Sequence, residues 1–265
     1  MARKSSGAFA EFWEIVKTLL WAAVIAIVIR TFAYEPFNIP SSSMVPTLLI
    51  GDYLFVSKFS YGYSRYSFPG GIVPVEGRIW EGAPTRGEVV VFRPPGKLED
   101  DFIKRVIGLP GDRIQVRQGI LYINDVAVQR QQIENYVDSD VPQYLETLPG
   151  GVTHRIIEEQ GDLGHLDDTP TFVVPPDHYF MMGDNRDNSS DSRDLGGNAG
   201  DAKCKVTIDE SNMKDCMGNV GFVPKENLVG PAKILFWSYD SSFKWYNPIT
   251  WVTALRYQRL LNVIE

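Results

Sequence analysis

The 265-residue chain has little of the chemistry on which many hydrolases and metalloproteins depend, with only two cysteines and three histidines. The ligand spacings His-Glu-x-x-His and Cys-x-x-Cys do not occur, so the sequence predicts no metal and no other cofactor. His154, His165 and His178 stand in segments typical of loops and turns, which argues against a Ser–His–Asp triad. An excess of positive charge is lacking as well, because the net charge is −7, and this argues against a nucleic-acid partner.

One N-terminal segment, residues 12–32, is mainly apolar. As a helix of about 21 residues it covers about 31 Å, which is enough to cross the hydrocarbon core of a bilayer. A cleavable signal peptide needs small residues at its −3 and −1 positions, whereas here Arg30 stands three positions before Ala33. The sequence therefore favours an uncleaved transmembrane anchor at residues 12–33 over a signal peptide or a buried soluble helix.

The charges beside this segment predict its orientation. Arg3 and Lys4 favour a cytoplasmic location for residues 1–11, which places the chain after the anchor outside the cytoplasm. In an oxidising compartment Cys204 and Cys216 can close a loop whose disulfide is worth about 3 kcal/mol. Two unlinked thiols are the alternative, and the predicted topology favours the disulfide.

After the anchor the sequence is typical of β structure. Arg113–Arg117 and Ile120–Ile123 alternate in polarity about Gln118 and Gly119, which predicts a hairpin. Further strands are predicted in β-branched and aromatic runs that end near glycine or proline, at residues 52–59, 87–93, 101–109, 171–174 and 179–182.

Three other segments interrupt the strand pattern. Residues 61–82, rich in glycine and aromatics, are either a flexible or membrane-proximal loop or an irregular sheet edge. Residues 194–220 form a polar insertion that holds both cysteines. Residues 249–264 are expected to form a terminal helix that carries Arg256 and Arg259.

Ser43 is the first candidate for chemistry. Pro40 and Pro46 fix the backbone on either side of it, and such a rigid frame can present a nucleophile in one orientation. An ordinary proline-flanked turn is the alternative interpretation.

Lys104 is the candidate base that would replace histidine. In a strand its side chain shares a face with Phe102 and Val106, while Arg105 points to the other face. Apolar neighbours disfavour the charged ammonium and can lower the lysine pKa from about 10.4 by several units, which would let the amine accept a proton. The alternative is a solvated lysine at a sheet edge.

Residues 183–193 alternate asparagine, aspartate and serine, which invites comparison with a calcium-binding loop. The EF-hand pattern requires glycine at its sixth place and glutamate at its twelfth, where this chain has Ser190 and Gly196. A turn system braced by an Asp191–Arg193 ion pair fits these residues better.

Taken together, these segments resemble bacterial type I signal peptidases, which are membrane-bound Ser–Lys proteases. The resemblance follows the family's order through residues 30–32, 35–52, 86–92, 101–112, 182–193 and 221–230. It implies a membrane-bound serine endopeptidase that removes N-terminal signal peptides from exported preproteins and cleaves after small residues at −1 and −3.

The resemblance also implies a role for each motif residue. These roles are Ser43 as nucleophile, Lys104 as general base, Ser41 as the oxyanion-hole hydroxyl beside the Ser43 N–H, Ser189 as the residue that orients the amine, and Asp191 with Arg193 as a supporting pair. The expected substrate pocket is shallow and apolar, with the lining candidates Phe37, Ile39, Met44 and Ile103.

The expected architecture is mainly β, with a single N-terminal transmembrane helix followed by an antiparallel β-sheet catalytic domain. Residues 34–112 and 177–265 would form the catalytic core, and residues 113–176 an inserted β-rich subdomain. The family's setting implies a single-pass protein of the bacterial inner membrane with its catalytic domain on the periplasmic side. Its partners would be preproteins, membrane lipid and, as a further candidate, the translocation machinery.

Three features depart from the family pattern. Phe102 stands where tyrosine is frequent, the 194–220 insertion follows the last catalytic motif, and one anchor replaces the two of some members. Two rival interpretations remain open at this point. One is a self-cleaving repressor-type Ser–Lys protease, which is normally cytosolic and carries a DNA-binding domain. The other is a membrane-tethered β-domain that only binds peptides.

Overall fold

The structure is a computed structural model that describes residues 5–67, 77–137 and 139–264. Its α-helices are α1 (Ser5–Phe32), α2 (Met213–Cys216) and α3 (Thr250–Thr253). Its strands are β1 (Tyr34–Asn38), β2 (Asp52–Ser57), β3 (Val89–Phe92), β4 (Phe102–Gly108), β5 (Arg113–Arg117), β6 (Ile120–Ile123), β7 (Val126–Ala127), β8 (Gln129–Gln132), β9 (Gln143–Thr147), β10 (Thr153–Ile157), β11 (Thr171–Val173), β12 (His178–Met182), β13 (Thr207–Ile208), β14 (Val223–Pro224), β15 (Leu228–Ser238) and β16 (Asn262–Val263). Part of the loop predicted at residues 61–82, from 68 to 76, lies outside the described residues.

Helix α1 carries the apolar N-terminal segment. The part from Phe9 to Phe32 has a mean hydropathy of 2.0, and none of its most apolar stretch is buried against the rest of the protein. These 24 residues cover about 36 Å as a helix, which is long enough to cross a bilayer. The helix ends against the sheet, where the Tyr63 hydroxyl donates a 2.6 Å hydrogen bond to the Phe32 carbonyl.

A large antiparallel sheet forms the centre of the fold. Its strands lie in the order β1-β2-β15-β3-β4-β12-β14, and β16 pairs with β15. Strand β15 joins the two sides of this sheet, because it pairs with both β2 and β3 along its 11 residues. The predicted mainly β fold is therefore confirmed.

Two smaller sheets are built mostly from the chain between β4 and β12. One has the order β10-β9-β8, and the other the order β13-β11-β5-β6-β7. The predicted β5–β6 hairpin is confirmed, with Gln118 and Gly119 at φ values of 48° and 70°, the left-handed pair that a two-residue type I′ turn requires. The insertion contributes β13, which pairs with β11 in parallel.

Three clusters of buried apolar side chains stabilise these sheets. One packs the β5–β6 hairpin, β11 and β12 against the insertion, and its aromatic centre is formed by Phe172, Phe180 and Phe222. A second lies beneath the turn that carries Ser43, and its members include Met44, Leu48, Leu54, Val56 and Val229. A third packs β3, β4 and β12 together through Val90, Phe92, Val106, Tyr179 and Met181.

The insertion is tied to the first of these clusters by a disulfide. Cys204 and Cys216 are bonded, and both are fully buried with Ile208 and Phe172. The bond joins the 3₁₀ turn Ala202–Cys204 to α2, so the polar insertion has a fixed apolar base.

The C-terminal helix expected at residues 249–264 is wrong. Helix α3 ends at Thr253, and the chain then turns so that β16 pairs with β15. The arginine side chains explain this path, because Arg259 Nη2 lies 2.5 Å from Asp52 Oδ2 and Arg256 Nη1 donates to the Ile50 carbonyl at 3.0 Å. Tertiary ion pairing outweighs the local preference for a helix in this segment.

Loss of the disulfide should lower the melting temperature. Removing both thiols with Cys204→Ala and Cys216→Ala frees a loop whose closure is worth about 3 kcal/mol. In a protein of this size we expect a drop of about 6 °C or more, measured by circular dichroism of the detergent-solubilised protein. A double variant that melts within 1 °C of the parent would show that the insertion does not depend on the bond.

Candidate active site

Ser43 lies in a turn between β1 and β2. The turn is closed by backbone hydrogen bonds from Val45 N to the Ser42 carbonyl at 3.0 Å and from Leu48 N to the Met44 carbonyl at 2.8 Å. Ser43 itself is buried, with 6% of its surface exposed. Its carbonyl accepts a 3.1 Å hydrogen bond from Asn185 N, which ties the turn to the segment after β12.

Lys104 lies in β4, between β3 and β12, and its side chain extends to the Ser43 turn. Its Nζ is 2.5 Å from Ser43 Oγ, a hydrogen-bond distance, although the two residues are 61 positions apart. The Phe102 ring lies on the same side of β4, with its centroid 5.7 Å from Nζ. This is the face that strand alternation predicts for Phe102.

Burial lowers the pKa of Lys104 to about 8. The carboxylates of Asp191 and Asp184 act in the opposite direction, while the Arg193 guanidinium lowers the pKa further. Only 4% of the lysine surface is exposed, so water does little to stabilise the ammonium. About a tenth of the amine is therefore neutral at pH 7, and about half at pH 8.

Two further serines stand beside Ser43. Ser41 Oγ is 3.4 Å from Ser43 Oγ, at the limit of a hydrogen bond. The Ser42 hydroxyl instead turns toward Asn188, whose Nδ2 donates to it at 3.2 Å. Ser41 and Ser43 are thus the serines whose hydroxyls lie next to each other in the turn.

Residues 183–193 form one wall of the site. Arg193 binds Asp191 through Nε at 3.0 Å and Nη2 at 2.9 Å, and both side chains are fully buried. Burial by itself would raise the pKa of Asp191, but Arg193 and the hydrogen bonds from Gly183 and Ser189 together hold that pKa below its usual value. Asp191 also accepts the Gly183 N–H at 2.9 Å, so the ion pair closes the segment on itself.

Ser189 lies inside this wall. A Cβ added at Gly183 would overlap with both Ser189 Oγ and the Ser43 carbonyl oxygen, which shows how closely the two segments approach. The Ser189 hydroxyl is buried and lies beside the Asp191 carboxylate, whose pKa it helps to lower.

A second buried ion pair, between Arg105 and Asp184, joins three parts of the site. Arg105 Nε and Nη2 donate to the Asp184 carboxylate at 2.9 and 2.8 Å. The same carboxylate accepts the Thr47 hydroxyl at 2.6 Å, and Arg105 Nη1 donates to the Gly87 carbonyl at 2.6 Å. The pair therefore links β4, the Ser43 turn and the wall.

The local sequence pattern does not predict this pair, although the position of Arg105 in an apolar strand indicates that it needs a partner. An arginine followed directly by apolar strand residues has to find an anion if that strand is internal to a sheet. Strand alternation shows only that Arg105 points away from Lys104. It does not identify the partner, Asp184, which lies 79 positions along the chain.

The prediction that His154 is a surface or turn residue is wrong. It lies in β10 with 5% of its surface exposed, 3.4 Å from Glu146 Oε2 and 3.9 Å from Asp184 Oδ1. Burial lowers the pKa of His154 to about 4, so the ring is neutral at pH 7. Because His154 lies in a polar, acidic stretch, the sequence does not show that it occupies a buried position of a strand.

A cavity of about 400 Å³ opens beside Ser43 and Lys104. Of the predicted lining residues, Phe37, Ile39 and Ile103 are present. Besides Ser41, Ser43 and Lys104, the lining residues that were not predicted for the pocket are Asn38, Pro40, Ser42, Val91, Asp101, Phe102, Asn188 and Ser190.

The expectation that Met44 lines this cavity is wrong. Its side chain is fully buried and packs in the apolar cluster beneath the Ser43 turn. Because the turn presents Ser43 on one side, the next residue points to the other side and fills the core.

Sequence comparison with known proteins identifies the family of this chain. The family described as "Signal peptidase, peptidase S26" matches residues 12–237. Signal peptidase I of Rickettsia canadensis (strain McKiel) is 36% identical over 273 residues, which cover 96% of this chain and 92% of the relative. Signal peptidase I of Rickettsia typhi (strain ATCC VR-144 / Wilmington) is 37% identical over 258 residues, covering 90% of this chain and 88% of the relative.

Among solved structures, the chain is similar to a signal peptidase I from Enterococcus faecalis V583. That likeness has 22% identity and a TM-score of 0.30 over 57% of this chain and 97% of the other. The sequence matches confirm the family that the motifs indicate. The chain is a peptidase and belongs to the signal peptidase family, peptidase S26.

Proposed function

We propose that this protein is a membrane-bound serine endopeptidase that removes N-terminal signal peptides from exported preproteins with a Ser43–Lys104 dyad. The observation that carries the proposal is the 2.5 Å distance between a buried amine and a buried serine hydroxyl. A nucleophile within hydrogen-bond reach of a base whose pKa is close to neutral is the arrangement that acyl transfer requires.

In the proposed mechanism, neutral Lys104 accepts the Ser43 proton as Oγ attacks the carbonyl carbon of the scissile peptide bond. The tetrahedral oxyanion is stabilised by the Ser43 N–H and by the Ser41 hydroxyl. Lys104 then gives its proton to the leaving amine, and an acyl-enzyme forms on Ser43. Water activated by the same amine hydrolyses this ester and regenerates the serine.

The two buried ion pairs support a neutral amine in this mechanism. Asp191 and Asp184 would each raise the pKa of Lys104, yet each of these carboxylates is held by an arginine of opposite charge. Because Arg193 and Arg105 offset the two negative charges, burial remains the larger effect on the amine. Asp191 and Arg193 are thus proposed as a supporting pair rather than as groups that touch substrate.

Ser189 is the proposed positioning residue for the lysine amine. Its buried hydroxyl lies beside the Asp191 carboxylate and close to the Ser43 carbonyl across Gly183. A hydroxyl in that position can accept a hydrogen bond from Lys104 and hold the amine toward Ser43.

The proposed substrate pocket lies between two segments, the end of β1 with the Ser43 turn and the start of β4. Residues 37–43 and residues 101–104 line opposite parts of the cavity, and Phe37, Ile39 and Ile103 make it apolar. An extended peptide between them directs alternate side chains to the same side. Small residues at −1 and −3 would therefore face the cavity together.

The proposed location is the bacterial inner membrane, with one pass through α1 and the catalytic core on the periplasmic side. The apolar length of α1 supports an anchor, and the Cys204–Cys216 bond supports an oxidising compartment. Preproteins and membrane lipid are then the proposed partners, and the translocation machinery is a further candidate. We also propose that residues 113–176 form a subdomain inserted in the core, since they supply most strands of the two small sheets.

Loss of either member of the dyad should abolish cleavage. Ser43→Ala removes the nucleophile, and Lys104→Met keeps a side chain of similar length without the amine. We expect kcat/KM for a preprotein substrate to fall at least about 1000-fold in the first variant and at least about 100-fold in the second. The rates are measured with purified full-length protein in detergent, by gel separation of precursor and mature product.

Two exposed residues of the same types supply controls for this experiment. Lys97→Ala and Ser241→Ala remove side chains that are not part of the cavity lining, so both variants should cleave at the parent rate. Wild-type turnover by folded Ser43→Ala or Lys104→Met protein would refute the assigned dyad.

The rate should depend on pH through the lysine. Because burial lowers the pKa of Lys104 to about 8, the fraction of neutral amine rises about tenfold per pH unit below that value and levels off above it. We expect kcat/KM to follow this curve between pH 6 and 10, with circular dichroism confirming that the protein stays folded. An inflection near the ordinary lysine pKa would contradict burial of the amine.

The size of the −1 residue should control cleavage. Replacing alanine at −1 of the substrate with leucine should lower kcat/KM at least about tenfold, because leucine would overfill a pocket that takes a small side chain. The same replacement at −2, whose side chain points away, is the matched control and should have little effect. Equal losses at both positions would contradict the proposed pocket.

A further inference from the structure

Outside the cavity, three buried carboxylates converge on one point. Glu158, Asp167 and Asp187 each offer an oxygen, and these oxygens lie within 4.8 Å of one another. The exposed fractions of the three residues are 1%, 1% and 6%. Glu158 and Asp167 come from the segment after β10, and Asp187 belongs to the wall of the active site.

Each carboxylate is only half satisfied. Asp167 Oδ2 accepts the Gly164 N–H at 2.6 Å, and Asp187 Oδ2 accepts the Gln160 N–H at 2.6 Å. The opposite oxygens, Asp167 Oδ1 and Asp187 Oδ1, are buried without a hydrogen-bond partner in the described residues, as is Glu158 Oε2. A buried acceptor without a partner is costly, and here each of the three clustered carboxylates has one.

Among the described residues, the arginines nearest this point are shared with other carboxylates. Arg130 Nη1 lies 3.5 Å from Glu158 Oε1, and its Nη2 is bound to Asp162 at 2.7 Å. The nearby guanidiniums of Arg186 and Arg193 form ion pairs with carboxylates outside the cluster. Arg186 and Arg193 still lower the pKa of Glu158, and Arg193 that of Asp167, so in the described part of the chain the negative charge of the cluster is offset only by guanidiniums that other carboxylates share.

We propose that Glu158, Asp167 and Asp187 form a binding site for one divalent cation, calcium. Oxygens bound to one calcium ion at about 2.3–2.6 Å can be no more than about 5 Å apart, whereas the shorter magnesium bonds limit them to about 4 Å. The three oxygens lie within the span that one calcium ion allows, and calcium, unlike magnesium, is commonly bound by protein oxygens without several retained waters.

Gly164 leaves room for this convergence. A Cβ at this position would overlap with Asp187 Oδ1 and come within 3.1 Å of Asp167 Oδ2. Any other residue would thus push the carboxylates apart.

This site differs from the calcium loop considered in the sequence, because Asp191 is committed to Arg193 and two of the proposed ligands lie outside residues 183–193. It also departs from the prediction that the protein holds no metal. Only residues distant in the chain, brought together by the fold, make the site.

A cation at this site would fasten the active-site wall. Ile157 N donates to the Asp184 carbonyl and Arg186 N donates to the Ile157 carbonyl, both at 3.0 Å, so the cluster lies directly after a bridge between β10 and the wall. Asn185, in the same bridge, donates to the Ser43 carbonyl. Calcium would thus hold the support of Ser43 without touching the reacting atoms, and its binding does not depend on the proposed peptidase mechanism.

The alternative to a bound cation is a proton shared between Glu158 and a neighbouring carboxylate. Burial, with Asp167 and Asp187 adding to it, raises the pKa of Glu158 to about 8. A protonated Glu158 could satisfy one neighbouring carboxylate by a hydrogen bond. The experiment therefore has to detect the cation itself.

Calcium binding is measured by isothermal titration calorimetry on chelator-treated, full-length protein in detergent at pH 7.5, with magnesium chloride titrated in parallel. We expect one calcium per chain, tighter than magnesium, and a melting temperature about 5 °C higher at a hundredfold excess over Kd. Asp167→Asn and Glu158→Gln should each weaken calcium binding about tenfold or more. The matched control is Asp168→Asn, since Asp168 is the exposed neighbour of Asp167 and should bind like the parent.

Three results would overturn the proposal. The first is no binding heat together with the same melting temperature in calcium and in chelator, which would leave the proton as the occupant. The second is calcium binding that Asp167→Asn and Glu158→Gln, both folded by circular dichroism, leave unchanged. The third is an equal loss in Asp168→Asn, which would mean that the ion is attracted by general surface charge.

Discussion

The active site depends on keeping a lysine amine out of water and next to a serine hydroxyl. The shift of the Lys104 pKa from 10.5 to about 8 corresponds to roughly 3 kcal/mol of lost stabilisation of the ammonium. That cost is borne by the packing of β3, β4 and β12 around the lysine stem. The same packing aims the amine at Ser43, so desolvation and orientation have one structural cause.

Buried anions close to such an amine would normally undo its low pKa. In this fold each anion has its own arginine, Arg193 for Asp191 and Arg105 for Asp184. The pairs therefore have two effects: they neutralise charge beside the lysine, and they tie the wall and the Ser43 turn to β4. Removing one partner of such a pair leaves an uncompensated buried charge, which is more damaging than losing both.

Local patterns in the sequence were enough for the β5–β6 hairpin and for the face of β4 that carries Phe102. They were not enough for features that depend on contacts between distant segments. Arg105 and Asp184 come into contact only when the sheet forms. Met44 packs in a hydrophobic core whose other members lie in distant segments, so the proline-rich sequence around Met44 does not predict its burial. The C-terminal segment likewise does not form the expected helix, because Arg259 forms an ion pair with Asp52.

The central claim is that the Lys104 amine is neutral at mildly alkaline pH in the folded protein. It is tested most directly by a ¹³C NMR titration of lysine-labelled protein, in which the Lys104 Cε signal is assigned by its absence from Lys104→Met. The account predicts a titration midpoint near 8. A midpoint near 10.4, the value of an exposed lysine, would contradict it.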